Sequence, residues 1–213
     1  MNRSPVRHIL FDLGAVLLNI DYNLPVRAFS RLGVNGFDQM FAHAGQTELF
    51  NLFETGKING AQFADHIRQV SGLPLTDVQI FEAWNSILLD LPIHRIDFVR
   101  ELHADYTVSL LSNTNEVHVA AFEKIAEDTL GPGQWRSVFN GEIFYSNRIG
   151  LRKPHPETFE FVLRQTGFKP EETLFVDDTP GHVRGAQSIG MQGLVLPHGT
   201  EVKEAVQHYL DKL

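Results

Sequence analysis

Residues 6–14 read Val-Arg-His-Ile-Leu-Phe-Asp-Leu-Gly, an apolar run interrupted by Arg7 and His8 that stops abruptly at Asp12 and meets a breaker at Gly14. The pattern predicts a buried strand, then a loop. Working outward, similar segments recur at Tyr106 to Leu111, ending in Ser112-Asn113-Thr114, and at Thr173 to Val176, ending in Asp177-Asp178. A fourth runs from Gly193 to Leu196. Helical patterns separate them, as at Val202, Val206, Tyr209 and Leu210. Strands alternating with helices predict an α/β protein with a parallel sheet covered on both faces.

The stretch from about Asp21 to Leu91 breaks the alternation. Phe63, Ile67 and Val70 mark one helix, and Ile80, Trp84, Ile87 and Leu88 another, with no convincing strand between. Punctuation by Gly33, Gly36, Gly56, Gly60, Gly72 and Pro74 predicts four or five short helices inserted after the first strand. The expected division is therefore a core domain of residues 1–18 and 92–213 and a helical cap domain of residues 19–91.

Composition narrows the function. With 213 residues, 43% hydrophobic and 21% charged, the chain has a globular balance, which excludes a collagen, a coiled coil or a disordered tail. Eighteen Lys plus Arg against 26 Asp plus Glu give a net charge of -8, which argues against nucleic acid as a partner. The absence of cysteine excludes a disulfide framework, a thiolate zinc site, an iron–sulfur cluster and a thiol nucleophile. No apolar run is long enough for a membrane span, and the N-terminal segment does not read as a signal peptide. The expectation is a cytoplasmic protein, monomeric or weakly homodimeric.

In an open parallel sheet ligands bind beyond the carboxyl ends of the strands, and here those ends are polar: Asp12, Ser112-Asn113 and Asp177-Asp178. Any single strand-end carboxylate is most often a turn or helix cap, but three polar ends together suggest a site. Adjacent Asp177 and Asp178 repel unless a cation or solvent neutralises them, and with Asp12 they form an oxygen donor set suited to Mg²⁺. Thr179 and Pro180 read as the N-cap and first residue of the next helix. Ser112-Asn113-Thr114 offers hydroxyl, amide and backbone N–H donors for an anion. Arg148, Arg152 and Lys153 form the densest cationic run, and Lys153 turned toward the acids would balance them.

At these four stations the segments FDLGAVLLNID, LLSNTN, GLRKPHPETF and LFVDDTPGHVRGA resemble, in order, motifs one to four of the haloacid dehalogenase superfamily. The inserted helices stand where that family's type 1 caps stand, on a Rossmann-like core, and the pattern is most similar to the branch containing alpha-glucose-1-phosphate phosphatase. The resemblance implies a Mg²⁺-dependent phosphatase of a small phosphorylated metabolite, a sugar phosphate first. It also implies that Asp12 is the nucleophile that becomes an aspartyl-phosphate. Ser112 and the backbone of Asn113 would hold the phosphoryl group, Lys153 would orient Asp12 and bind phosphate, and Asp12, the Gly14 carbonyl, Asp177 and Asp178 would hold the metal.

One position departs from the family. Most of its phosphatases carry a second aspartate two residues after the nucleophile as general acid and base; here it is Gly14. Losing such a group costs ~10²- to 10⁴-fold in rate, which predicts weak or leaving-group-selective activity rather than none. A substitute acid from the cap or from the Asp21 loop is conceivable, although Asp21 reads first as a hinge or helix-cap residue. His182 is expected either at the surface or beside the acids, in both cases without ligating metal. Phe41, Phe50, Phe53 and Trp84 are read first as helical core and second as the cap's face over the site. Two other readings stand: a haloacid dehalogenase using Asp12 without metal, and a catalytically idle relative that binds a phosphometabolite or partner.

Overall fold

The structure is a computed structural model that describes residues 5–37 and 48–213. Five parallel strands form one sheet: β1 (His8–Phe11), β2 (Thr107–Ser112), β3 (Ile143–Tyr145), β4 (Thr173–Asp177) and β5 (Gln192–Val195), in the order β3-β2-β1-β4-β5. Chain order runs outward to one side of β1 through β2 and β3, then returns to the other side through β4 and β5. The direction therefore reverses at β1, the place where such sheets open a crevice for ligand.

The sheet is buried on both faces because its strands are apolar at nearly every position. Ile9 and Phe11 join Val108, Leu110, Leu174 and Val176 on one face, covered by α5 (Ile93–Glu101), α6 (Glu116–Leu130) and α10 (Val202–Leu210). Leu10, Leu111 and Phe175 point the other way, onto α8 (Pro156–Thr166) and α9 (Pro180–Gln187). The short β3, which no apolar run announced, adds Phe144 to this second face and Tyr145 to the first. A one-turn α7 (Ser146–Ile149) follows it.

Between β1 and α5 lie four helices among the described residues: α1 (Asn23–Arg31), α2 (Glu48–Glu54), α3 (Gly60–Ser71) and α4 (Asp77–Asn85). Asn59 with Gln62, and Thr76 with Gln79, close reciprocal capping boxes that start α3 and α4. These helices bury their own cluster, including Phe29, Phe37, Phe50, Phe53, Phe63, Ile67 and Trp84, apart from the sheet's two cores. Ile87 and Leu88, expected within a helix, lie just past α4, where Leu88 bridges Ile20. Val70, assigned to the inner face of α3, is exposed. Phe41 lies outside the described residues.

One close approach ties the sheet's second face to the site. A Cβ added to Gly185 on α9 would stand 2.2 Å from the Pro154 carbonyl oxygen, a backbone atom with little room to yield. Gly185→Ala should therefore push α9 away from the turn that carries Lys153, at a cost of about 1–3 kcal/mol. Urea denaturation should show a lowered midpoint with unchanged slope, and an unchanged midpoint would contradict the contact.

Candidate active site

Parallel register brings the strand ends level. Phe11 pairs with Leu110 on one side and Val176 on the other, so Asp12, Leu111 and Asp177 follow side by side, with Ser112 and Asp178 one residue further. The three carboxylates of Asp12, Asp177 and Asp178 each place an oxygen within 4.8 Å of the others. After Asp12 the chain turns sharply: the Leu13 carbonyl accepts from the amides of Leu17 and Leu18, and Ala15 is held at φ 59°. That left-handed conformation costs a non-glycine residue roughly 1–2 kcal/mol, a strain tolerated where a loop must double back.

Lys153 enters this ring from the turn before α8 and has no exposed surface. Its Nζ lies 2.7 Å from Asp12 Oδ1, and it donates to Asp177 Oδ2 at 2.7 Å and to the Leu111 carbonyl at 2.9 Å. Three acceptors match the three protons of an ammonium. Burial alone would strip the charge from Lys153, but Asp12 and Asp177 more than offset it and raise its pKa.

The three acids are not equivalent. Burial drives the Asp12 carboxyl up to about 6, against the pull of Lys153. Burial acts on Asp177 in the same sense, yet Lys153 and His182 together hold it well below the usual carboxylate range. Both Asp177 oxygens are engaged: Oδ1 accepts from the Thr179 amide at 2.8 Å, Oδ2 from Lys153, and His182 Nδ1 lies 3.0 to 3.1 Å from both. Asp178, half-buried, is raised by burial and by the neighbouring Asp177 charge, and accepts from the Thr179 hydroxyl at 3.2 Å. Three carboxylates around one lysine leave uncompensated negative charge among hard oxygen donors, which fits Mg²⁺.

The remaining expected residues lie close by. Ser112 is buried at the edge of the cavity, its hydroxyl contacting only the Asn113 carbonyl at 3.5 Å, the long limit of a hydrogen bond. The Asn113 carboxamide is taken up elsewhere: it donates to the Lys153 carbonyl and accepts from the Lys153 amide, both at 2.9 Å, clamping one loop to the other. The Thr114 amide, expected to serve an anion, instead donates to Ser146 Oγ at 2.8 Å. Thr179 and Pro180 stand at the start of α9 as read, although the Thr179 side chain makes no capping bond. Asp21 accepts from the Asn23 amide at 2.8 Å and secures the start of α1.

Above the acids opens a cavity of about 330 Å³, lined by Asp12, Gly14, Ser112, Lys153 and Asp178 from the core and by Glu54 and Trp84 from the helical insertion. Phe50 and Phe53 stay inside the cap cluster, whereas Trp84 does both jobs. Two groups escaped the sequence reading, Glu54 and His118. Arg152 reaches Glu54 at 3.0 Å, and His118 on α6 stacks on Trp84 with ring centroids 4.7 Å apart. No periodicity marks such pairs, because each joins residues 34 or more positions apart.

The haloacid dehalogenase-like hydrolase family matches residues 6–190. The chain belongs to that family. D-ribitol-5-phosphate phosphatase of Bacteroides thetaiotaomicron is 27% identical over 199 residues, 93% of this chain and 96% of its own. A crystal structure of a family enzyme from the same organism, an aspartate-to-alanine mutant in complex with magnesium and inorganic phosphate, superposes with a TM-score of 0.87 at 32% identity, covering 92% of this chain and 96% of that one. A family hydrolase from Porphyromonas gingivalis gives 0.87 at 28% identity over 97% and 98% of the two chains.

His118 provides a pH test of the joint between α4 and α6. Asn115 donates to its Nδ1 at 3.1 Å, so Nε2 carries the proton and donates to the Trp84 carbonyl at 3.3 Å. Burial lowers its pKa to about 4, below the 6.5 of a free histidine. Between those values the unfolded chain binds a proton that the folded one refuses, so stability should fall by up to about 3 kcal/mol as pH drops from 6.5 toward 4. Melting temperatures across that window should be less steep in His118→Gln, and equal slopes would contradict the assignment.

Proposed function

We propose that this chain is a Mg²⁺-dependent phosphatase that hydrolyses the monoester of a small polyol or sugar phosphate through an aspartyl-phosphate on Asp12. The observation that carries the reading is the Lys153 ammonium joined to Asp12 and Asp177 beside a cavity that Asp12, Lys153 and Asp178 line. An anionic nucleophile must meet an anionic phosphate there, which demands compensating positive charge. The near full-length ribitol-5-phosphate phosphatase supports the substrate class. So does the cavity, whose volume suits a five- or six-carbon phosphate and whose wall mixes Tyr22, Glu54 and Arg152 with Ile20 and Trp84.

In this reading Asp12 and Asp178 would hold the cation, with the Gly14 carbonyl as a further donor and Asp177 behind them, its oxygens already engaged. Mg²⁺ bound there would neutralise phosphate oxygens and favour the ionised form of Asp12. Asp12 Oδ attacks phosphorus, Ser112 and the Asn113 backbone hold the transferring group, and Lys153 keeps the nucleophile in place. The Asn113 clamp on Lys153 and the Asp177–His182 pair keep the ammonium in register. Water then cleaves the aspartyl-phosphate, and the helical insertion, as a cap, excludes bulk solvent while transfer proceeds. A halide site would gain nothing from three converging carboxylates, which weighs against carbon–halogen hydrolysis.

Turnover of a panel of polyol, sugar and aryl phosphates should require Mg²⁺, cease on chelation and return on readdition. Asp12→Asn should reduce it at least 10³-fold while retaining magnesium-dependent phosphate binding by calorimetry. Binding without turnover in the unaltered protein would instead establish the idle, ligand-binding reading.

A further inference from the structure

The Gly14 side chain cannot carry a proton, yet among the described residues the cavity it lines holds one carboxyl group outside the acidic trio: Glu54. It is the last residue of α2 and reaches across from the helical insertion to the core. Two residues on, Gly56, at φ +66°, packs so tightly that an added Cβ would lie 2.2 Å from the Asn147 carbonyl oxygen, which fixes the end of α2 against the core. Arg152, the neighbour of Lys153, meets Glu54 at 3.0 Å, and only 22% of the Glu54 side chain and 13% of the Arg152 side chain are exposed. The pair is close but misaligned. Glu54 Oε2 and Arg152 Nε are both shut off from solvent without an aligned hydrogen bond, a capacity that buried polar groups seldom leave unused.

The other titratable groups among the described residues that line the cavity are committed. Asp12 and Asp178 belong to the acidic trio, and His182 is held by Asp177. His118 has both nitrogens engaged, Arg152 is paired with Glu54, and Lys153 is held by Asp12 and Asp177. Burial, with the charges of Asp178 and Asp12 behind it, pushes the Tyr22 phenol up, out of the working range of a proton donor. Asp21, the other acid of this region, does not line the cavity.

We propose that Glu54 is the general acid and base of this enzyme, supplying from the helical insertion the proton transfers for which Gly14 has no group. The inference rests on the phosphatase reading above. As Asp12 Oδ forms its bond to phosphorus and the P–O bond to the alcohol breaks, the Glu54 carboxyl gives its proton to the departing oxygen and the alcohol leaves neutral. The resulting carboxylate then takes a proton from water as that water attacks phosphorus. The P–O bond to Asp12 breaks, phosphate departs, and both Asp12 and Glu54 return to their starting states. Burial favours the protonated acid before the reaction, while Arg152, His182 and Lys153 pull the other way and limit the rise.

Two substrates separate this role from a structural one. With D-ribitol 5-phosphate, whose alkoxide needs a proton, Glu54→Gln should lower kcat by about 10²- to 10⁴-fold. With 4-nitrophenyl phosphate the same variant should release close to one equivalent of nitrophenol in a burst and then turn over slowly, because formation of the aspartyl-phosphate no longer needs the acid but its hydrolysis still needs the base. Gly14→Asp should restore at least tenfold of the lost rate in the Glu54→Gln background. The site can accept it: an added Cβ meets only the flexible Ile20 Cδ1 at 3.2 Å, and the backbone there is not left-handed.

Equal loss on both substrates without a burst, undiminished turnover, or no recovery with Gly14→Asp would each overturn the assignment and leave the phosphatase reading standing. Should Glu54→Gln fail to fold, Glu54→Asp decides: a larger loss with D-ribitol 5-phosphate than with 4-nitrophenyl phosphate agrees with the role, and an equal loss refutes it. No turnover of any phosphate ester by the unaltered protein would overturn the phosphatase reading itself and this role with it.

Discussion

The ammonium of Lys153 is the point on which the site is built. A lysine with no exposed surface is costly to bury, and it stays charged here only because Asp12, Asp177 and the Leu111 carbonyl take one proton each. Those acceptors lie just past β1, in β2 and in β4, so the ion joins the three strands at their carboxyl ends. The same interaction that orients Asp12 therefore also fixes the spacing of the sheet at its carboxyl edge. Removing either member would leave a buried charge without a partner, which is a larger penalty than the pair's own net contribution.

Around that ion the chain has a set of supports that act by geometry rather than by charge. The Asn113 carboxamide grips the Lys153 backbone at both its N–H and its carbonyl. Gly185 lets α9 close on Pro154, and α9 in turn brings His182 against Asp177. These contacts hold the lysine turn from three sides. The helical insertion is connected differently, through a few joints at its rim: Glu54 to Arg152, Trp84 to His118, the Gly60 amide to Glu116, and Gly56 against Asn147. Apart from Val117 of α6, which packs against it, its aromatic cluster is built from the insertion's own residues. A module with its own core and few joints can change what the cavity admits without disturbing the sheet, which is how one core serves many substrates.

Much of this was legible before any coordinates. The strand runs ending in Asp12, Ser112 and Asp177 predicted β1, β2 and β4 to within two residues, because an apolar segment that stops at a polar residue has one buried solution in a parallel sheet. The short β3 escaped notice: Ile143–Tyr145 is too brief for a periodicity and is recognised only by pairing with β2. Helix ends were misjudged where packing overrode pattern, as at Ile87 and Leu88, which continue a helical spacing but leave α4 to meet Ile20. The family match over residues 6–190 agrees with the motifs, since their order and spacing are local properties of the chain.

What the sequence determined by itself was the list of reactive groups and their place at strand ends, because burial of alternating and continuous apolar runs dictates where polar residues must emerge. Only the tertiary structure decided their inequality. Asp177 is held ionised between Lys153 and His182 while Asp12 is raised toward neutrality, and Glu54 comes to face the same cavity from a helix whose sequence marks it as an ordinary surface acid. The physical reason is that a charge takes its energy from whatever lies within a few ångströms, and those neighbours are brought together from distant parts of the chain.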